Sequence, residues 1–411
     1  MTERIYYTDA YTTNFSSRVT AVMTLAGRPA LELERTAFYP ASGGQPCDTG
    51  TLAGQEVVEV LVDEAGRLLH VLAAAPAAIG DIVVGDIVTG EVTWAHRFDH
   101  MQQHSGQHLL SHCFTEQFGW ETVSVHIGAD ECTLDLETAT AEPAQLDAVE
   151  ALANAMAYQA LPIRIYFVEA EKLAQVPLRR APKVTGTVRI VEIERADYSA
   201  CGGTHVRTTA ELAPIKILRA EKRRGQLRIT FVCGLRAVAD HVRKHRLLLE
   251  TARLFSTDPA AVPGNVQRLL DQQRELQRRF GQLEKAWVEA EAPALWAAAP
   301  AVAGSKVVAL VLPGRSAEAV KQMATLLAQR AQTVALLAGD DGGKCTVVFS
   351  RSSDLAPHMG NLLRATLQQL GGGGGGKPDF AQGGLADGAA AANVVALAVA
   401  ALTEQFRLNQ G

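Results

Sequence analysis

Five histidines, His96, His100, His104, His108 and His112, recur at four-residue intervals in HRFDHMQQHSGQHLLSHC. On a helix that spacing advances about one turn plus a small rotation, so the ladder winds slowly across one face. Neighbouring pairs can hold a metal, but all five cannot share one ion. Further along the chain, CGGTH repeats the spacing with Cys201 and His205. Thiolate and imidazole donors suit zinc better than magnesium or calcium. Gly202 and Gly203 let the loop turn sharply enough to aim both side chains at one point. The two segments are read as sharing a single zinc ion. His104 and His108 are the helical partners, because they fall mid-helix and precede Leu109 and Leu110, which anchor the helix in a core. The other three histidines are read as helix-end or supporting groups.

The spacing also excludes chemistry. A zinc protease of the HExxH type needs Glu after the first histidine, and here that residue is Ser105. A nucleobase deaminase needs HxE with PCxxC, and neither is present. The run Gly371 to Lys377 satisfies GxxxxGK, yet Pro378 stands where a magnesium-binding hydroxyl is required, and the run follows a helix instead of a strand. It is read as a flexible glycine loop, with a backbone-rich contact surface as the alternative.

The elements that must position these residues follow from periodicity. Up to about residue 90 the chain reads as short alternating strands, RVTAVMTL, ALELERTAFY, EVVEVLVDE, RLLHVLA and DIVVGDIVTGEVTW, which predicts a small β-barrel or sandwich. The loop TAFYPASGGQPCDTG interrupts it, with Gly43 and Gly44 free to take positive φ or to bring the backbone close to a ligand. From His96 the period becomes helical and ends near Phe118 and Gly119. Strands at TVSVHIG and CTLDLE, a helix opened by Glu142 and Pro143, and strands IRIYFVE, VRIVEIE and LRITFVCG predict a helix on an antiparallel sheet. A heptad seam runs from Val266 to Ala290 and needs a partner, either the helix from 235 to 256 or a second chain. Pro293 and the Ala/Pro-rich stretch to Gly304 read as a linker. The remainder alternates strands and helices. The expected class is α+β multidomain: barrel 1–91, zinc domain 92–234, helical linker 235–300 and α/β domain 301–411.

At 411 residues the chain exceeds what one core usually organises. There is no uninterrupted apolar run long enough to cross a bilayer and no apolar signal core at the start, so a cytoplasmic protein is expected. Six scattered cysteines fit reduced thiols and metal binding better than disulfides. A net charge of −5 does not suggest nucleic acid, but its distribution does. Lys216, Arg219, Lys222, Arg223, Arg224, Arg228, Arg236, Arg243, Lys244 and Arg246 cluster against only Glu221 and Asp240, either a solvated face beside a helix start or a phosphate-contacting surface.

HMQQHSGQHLL with CGGTHV resembles the editing domain shared by alanyl- and threonyl-tRNA synthetases. With FYPASGGQPCDTG upstream and GGGGGGKPDFAQGG in the tail, the chain is most similar to the long form of the AlaX family of alanyl-tRNA editing proteins. No ATP-binding aminoacylation domain is recognisable. The resemblance implies an aminoacyl-tRNA hydrolase acting in trans on tRNA(Ala) mischarged with Ser, and as a second substrate on Gly-tRNA(Ala). It carries over His104, His108, Cys201 and His205 as zinc ligands. Thr122, in GWETVSVHIG, matches the threonine that contacts the seryl hydroxyl and, with Gln45, is expected at the catalytic site. Gly43, Gly44 and Gln45 match the glycine motif that shapes the amino-acid pocket. Four protein ligands describe a closed zinc site, so the ion is expected to position the substrate amino group while a separate water attacks; polarising that water is the alternative. The competing reading is a tRNA-binding protein stapled by structural zinc, without hydrolysis. Homodimerisation through the helical linker or the C-terminal domain is a further expectation.

Overall fold

The computed structural model describes residues 2–73, 82–180, 186–341 and 343–408. Asp81, at the start of the last strand expected in the barrel, lies outside them. The chain divides into two compact units, Met1–Glu250 and Thr251–Gly411.

The first unit opens with strands β1 (Asn14–Leu25), β2 (Arg28–Leu33), β3 (Gly50–Leu52), β4 (Gln55–Val62), β5 (Leu68–Leu72) and β6 (Ile87–Val92). They close into a barrel in the order β1-β2-β5-β4-β3-β6. Period-two alternation drives the closure: in β1, Phe15, Ser17 and Val19 are buried while their neighbours face water. Phe15, Val19, Leu31, Phe38, Leu52 and Val60 fill the interior. His70 of β5 is fully buried there, with Nε2 on the Thr36 hydroxyl at 2.8 Å and Nδ1 on the Leu31 carbonyl at 3.0 Å.

Helix α1 (Trp94–Phe118) follows directly and ends at Gly119, whose N–H closes on the Phe114 and Thr115 carbonyls. Nearly the whole helix from His100 to Phe114 is buried. That is why its pattern is not a clean amphipathic stripe: one face meets a hydrophobic core and the other a polar cluster. Met101, Leu109, Leu110 and Phe114 pack with Leu134, Ile229 and Phe231 of a four-stranded antiparallel sheet. Its strands are β7 (Thr122–Ile127) and β8 (Cys132–Leu136), and later β12 (Ile215–Arg223) and β13 (Gln226–Cys233), in the order β12-β13-β8-β7. Between them come α2 (Pro143–Tyr158), opened by a reciprocal Glu142–Gln145 capping box, and a three-stranded sheet of β9 (Ile163–Val168), β10 (Val188–Ile193) and β11 (Asp197–Ala200). Helix α3 (Gly234–Leu254) follows β13.

The basic run divides between a strand hairpin and helix α3, which carries Arg236, Arg243, Lys244 and Arg246 from just past its start. Lys216, Arg219, Lys222 and Arg223 lie on β12, which hairpins into β13 through Arg224 and Gly225. Much of its charge is neutralised: Lys216 pairs with Glu150, Arg219 with Glu131, Arg228 with Asp135, Arg236 with Asp99, and Arg243 and Lys244 with Asp240.

In the second unit the stretch after Pro293 is not a linker. Helix α4 (Val262–Ala298) runs through that proline. An interior proline loses one helical hydrogen bond, but here packing holds the turn: Val288 and Ala292 are buried against Val320, Met323 and Leu327, and Trp296 Nε1 donates to Thr333 Oγ1 at 2.9 Å. Strands β14 (Ser305–Pro313), β15 (Thr333–Asp341), β16 (Lys344–Arg351), β17 (Gly373–Gly376) and β18 (Phe380–Leu385) join the short strand Ala301–Val302 in one mixed sheet, covered by α5 (Ala317–Ala328), α6 (Met359–Gln368) and α7 (Ala391–Leu408). The glycine run is therefore a strand and not a flexible loop. It pairs with β18, and a Cβ at Gly374 would meet the Gly383 Cα at 2.6 Å. By length and composition Gly388–Arg407 suits a bilayer span (mean hydropathy 1.5), contrary to the expectation of no such run. Its Val394, Ala398 and Leu402 are buried in the core of this unit.

Two measurements bear on this packing. Arg97, fully buried at the start of α1, donates from Nε to Asp48 at 2.9 Å and from Nη1 and Nη2 to the carbonyls of Ala10 (2.7 Å) and Ala37 (2.5 Å). Arg97→Met would leave the Asp48 carboxylate buried and unpaired; urea unfolding should show a loss of ~3–5 kcal/mol. Burial pushes the His70 pKa from 6.5 down to about 4. As pH falls the unfolded chain takes up that proton first. The stability is full above about pH 6.5 and is lost towards pH 4, by up to ~3 kcal/mol. His70→Gln should flatten this part of the unfolding profile.

Candidate metal centre

Helix geometry places His104 and His108 one turn apart on the polar face of α1. Cys201 and His205 come from the loop after β11. The donor atoms of all four lie within 4.8 Å of one another. Cys201 Sγ sits 3.4 Å from His104 Nε2 and 3.3 Å from His205 Nε2. Bond lengths of ~2.0–2.3 Å to a tetrahedral zinc imply donor separations of about this size.

Each imidazole is held from behind. His104 Nδ1 meets Gln45 Oε1 at 2.8 Å, His108 Nδ1 meets Asp197 Oδ2 at 2.9 Å, and His205 Nδ1 meets Ser105 Oγ at 2.9 Å. With each Nδ1 engaged, each Nε2 is left for the centre, the arrangement in which metal-binding histidines are oriented and made more basic. The supports are themselves fixed. Gln45 Nε2 donates to Thr204 Oγ1 at 2.8 Å, and the Val206 N–H donates to Ser105 Oγ at 3.2 Å. Arg179 Nε and Ser199 Oγ donate to Asp197, each at 2.7 Å. Burial opposes ionisation of Asp197, but His108 and Arg179 outweigh it and hold the carboxyl well below its usual range.

Charge distribution suits a cation. Burial alone would raise the Cys201 thiol, yet the facing His104 and His205 pull it well below its ordinary value, toward thiolate. Burial pushes His205 down, keeping its imidazole neutral. The same burial acts on His108, where Asp197 and Cys201 overcome it and shift the ring upward. A soft thiolate with three imidazoles is a donor set that zinc fits.

Gly203 is required by contact. A Cβ there would stand 2.2 Å from His104 Cε1 and 3.0 Å from Gln45 Oε1. Gly202 is less confined, its nearest atom being Tyr7 Oη at 3.6 Å, so the loop's glycines serve close approach more than a sharp turn. The remaining ladder residues face elsewhere: His96 Nε2 meets the Cys47 carbonyl at 2.9 Å, His100 Nδ1 meets the His96 carbonyl at 2.8 Å, and His112 is half-buried at the end of the row.

Beside the cluster lies a cavity of about 570 Å³, lined by His108, Cys201 and Thr122 among others. Thr122 is buried at the start of β7 and donates its hydroxyl proton to Ser111 Oγ at 2.7 Å, which leaves the Thr122 oxygen an acceptor. Gln45 is buried behind His104 and is not part of that lining. Gly43 and Gly44 are exposed on the barrel loop. Gly44, at φ +84°, lets the loop lie against β7: its carbonyl accepts from Ile127 N–H at 3.0 Å, and a Cβ would sit 3.0 Å from the Val125 carbonyl oxygen.

Residues 188–230, which hold Cys201 and His205, match the family model of the threonyl and alanyl tRNA synthetase second additional domain, and residues 304–407 match that of the DHHA1 domain. The chain is 28% identical over 394 residues to the alanyl-tRNA editing protein AlaX-L of Pyrococcus horikoshii, spanning 93% of this chain and 94% of that protein. Over nearly its whole length the chain is thus similar to an alanyl-tRNA editing protein. It is also 30% identical over 399 residues to the alanine–tRNA ligase of Methanothrix thermoacetophila, spanning 93% of this chain but only 42% of the ligase. The crystal structure of the C-Ala domain from Aquifex aeolicus alanyl-tRNA synthetase is 28% identical, covering 26% of this chain and 94% of that one, with a TM-score of 0.23.

Asp197 and the bonding role of Ser105 escaped sequence reasoning. Asp197 stands one helical-ladder step before Cys201, but on a strand, and nothing in DYSACGGTH says that its carboxylate reaches back to α1. Cys201→Ala should reduce bound zinc, measured by mass spectrometry of the purified protein, to a small fraction of the wild-type content while the circular dichroism stays unchanged. Gln45→Ala should keep the ligands but weaken zinc affinity about ten- to a hundred-fold in competition with a chromophoric chelator.

Proposed function

We propose that this protein is an aminoacyl-tRNA hydrolase that removes serine, and also glycine, from mischarged tRNA(Ala) in trans. The observation that carries this reading is that His108 and Cys201, two members of the His104–His108–Cys201–His205 cluster, line one cavity together with Thr122. Similarity to an alanyl-tRNA editing protein along nearly the whole chain supports it.

Zinc, when bound by these four residues, supplies a Lewis-acidic centre at the cavity wall. The chain's own groups do the rest. Gln45, Asp197 and Ser105 keep the three imidazoles in register. Thr122, its proton committed to Ser111, accepts a hydrogen bond from the seryl hydroxyl. The methyl of a correct alanyl group offers no such donor. Hydrolysis adds water oxygen to the ester carbon, breaks the bond to the ribose oxygen and returns a proton to that oxygen. An aminoacyl ester is activated enough that no protein nucleophile is needed. Lys222, Arg223 and Arg224, exposed at the β12–β13 hairpin without a carboxylate partner among the described residues, offer phosphate contacts to the tRNA body.

Deacylation of Ser-, Gly- and Ala-tRNA(Ala), followed side by side, tests the assignment. Ser-tRNA(Ala) should be consumed and Ala-tRNA(Ala) spared; loss of none would leave a zinc-stapled tRNA binder. Thr122→Val should lower kcat/KM for Ser-tRNA(Ala) about ten-fold and leave Gly-tRNA(Ala), which has no side-chain hydroxyl, nearly unaffected.

A further inference from the structure

The cavity beside the metal centre has a wall that the reading above leaves without a task. Two large apolar side chains on it stay in solvent, Phe167 at 48% exposure and Val123 at 40%. Neither packs into a core cluster among the described residues.

The sheet register measures how far Phe167 stands from the cluster. Phe167 on β9 lies directly opposite Arg189 on β10, and opposed residues of an antiparallel pair share a face. The Cys201 N–H donates to the Arg189 carbonyl at 3.1 Å, continuing the ladder just past β11. Phe167, Arg189 and Cys201 therefore form one row across the sheet, two strand spacings or roughly 10 Å long. That is about the reach from the ester to the far edge of the base in an aminoacylated nucleoside.

The middle of the row carries a cation. Arg189 is buried and has no carboxylate partner among the described residues. Its Nε donates to the Tyr7 carbonyl at 3.1 Å and its Nη1 to the Cys201 carbonyl at 2.6 Å, while Nη2 has no partner. A guanidinium beside the cavity with no carboxylate partner and one N–H group unbonded favours an anion on the sugar that lies between ester and base, which in a nucleic acid is the phosphate. The exposed aromatic ring at the end of the row then offers a flat apolar surface where the base would be.

We propose that Phe167 is the stacking platform for the terminal nucleobase of the aminoacylated acceptor strand, with Val123 as the second apolar edge and Arg189 biasing the intervening sugar-phosphate electrostatically. The assignment rests on reading the cavity as an aminoacyl-ester site. Stacking of one base on one aromatic side chain is sequence-tolerant, so the platform positions the strand end and leaves choice of amino acid to the Thr122 side.

The test uses the full chain and the non-hydrolysable 3′-seryl-amino-3′-deoxyadenosine, with its abasic analogue as control, by titration calorimetry. Phe167→Ala should weaken binding of the nucleoside about ten-fold and leave the abasic analogue unchanged; Phe167→Trp should restore wild-type affinity. Equal affinity of wild type and Phe167→Ala for the nucleoside would overturn the platform. Wild-type binding of the nucleoside, lost on Phe167→Ala, in a protein that fails to deacylate Ser-tRNA(Ala) would remove the hydrolase and leave the platform standing.

Discussion

The buried pair of Arg97 and Asp48 fixes the geometry on which the candidate metal centre depends. Arg97 sits at the first turn of α1 and Asp48 at the end of the glycine-rich barrel loop, and both are closed off from water. The guanidinium also bonds the carbonyls of Ala10 and Ala37, and Asp48 accepts from the Tyr39 N–H at 2.5 Å. The N-terminal segment, the barrel loop and the helix therefore meet at one point. A buried ion pair gains little over a well-packed apolar contact of the same volume, so its value here lies in direction. It sets where the loop lies along α1, and Gln45, three residues before Asp48, is delivered to His104 two helical turns on. An apolar contact would tolerate a slide of the loop that this fork of hydrogen bonds does not.

The cluster in turn shows why histidine ligands arrive in pairs with different supports. His104, His108 and His205 are each steered by a group from a different place: the barrel loop, the three-stranded sheet, and α1 itself through Ser105. The only local spacing is within each pair. Those local spacings, HxxxH and CxxxH, were legible in the sequence because helical and tight-loop geometry are set by near neighbours. The supports were not, because a Gln amide or an Asp carboxylate has no preferred partner until the tertiary fold brings one. Ser105 illustrates the limit. Its type excluded a protease glutamate from sequence alone, but its bond to His205 crosses between segments that only folding brings together.

The same division runs through the fold. The change of period at His96, the helix start at Glu142 and Pro143 and the helix stop at Gly119 rest on local chemistry, and the structure has all three. Pro293 and the glycine strand β17 were misread, and the β12 strand was passed over, for a common reason. Proline and glycine disfavour both helix and strand, and lysine favours helix over strand; at each of these places packing overrides that preference. Trp296 and Ala292 hold the turns on either side of Pro293, and the β18 ladder holds Gly373–Gly376.

A centre with one thiolate and three imidazoles already has the four donors of a closed tetrahedral site. If such a centre takes part in ester hydrolysis, selectivity has to come from the cavity around it and not from competition for an open coordination position. The structure is built in keeping with that constraint. The groups that could change the centre's geometry, Gln45, Asp197 and Ser105, are buried and doubly bonded, whereas the groups facing the cavity, Thr122, Arg189 and Phe167, each keep an acceptor, a donor or an apolar face uncommitted. Rigidity is placed behind the ligands and unspent bonding capacity in front of them. A purely structural zinc would need only the first of these, and the second is what favours a site that takes a substrate.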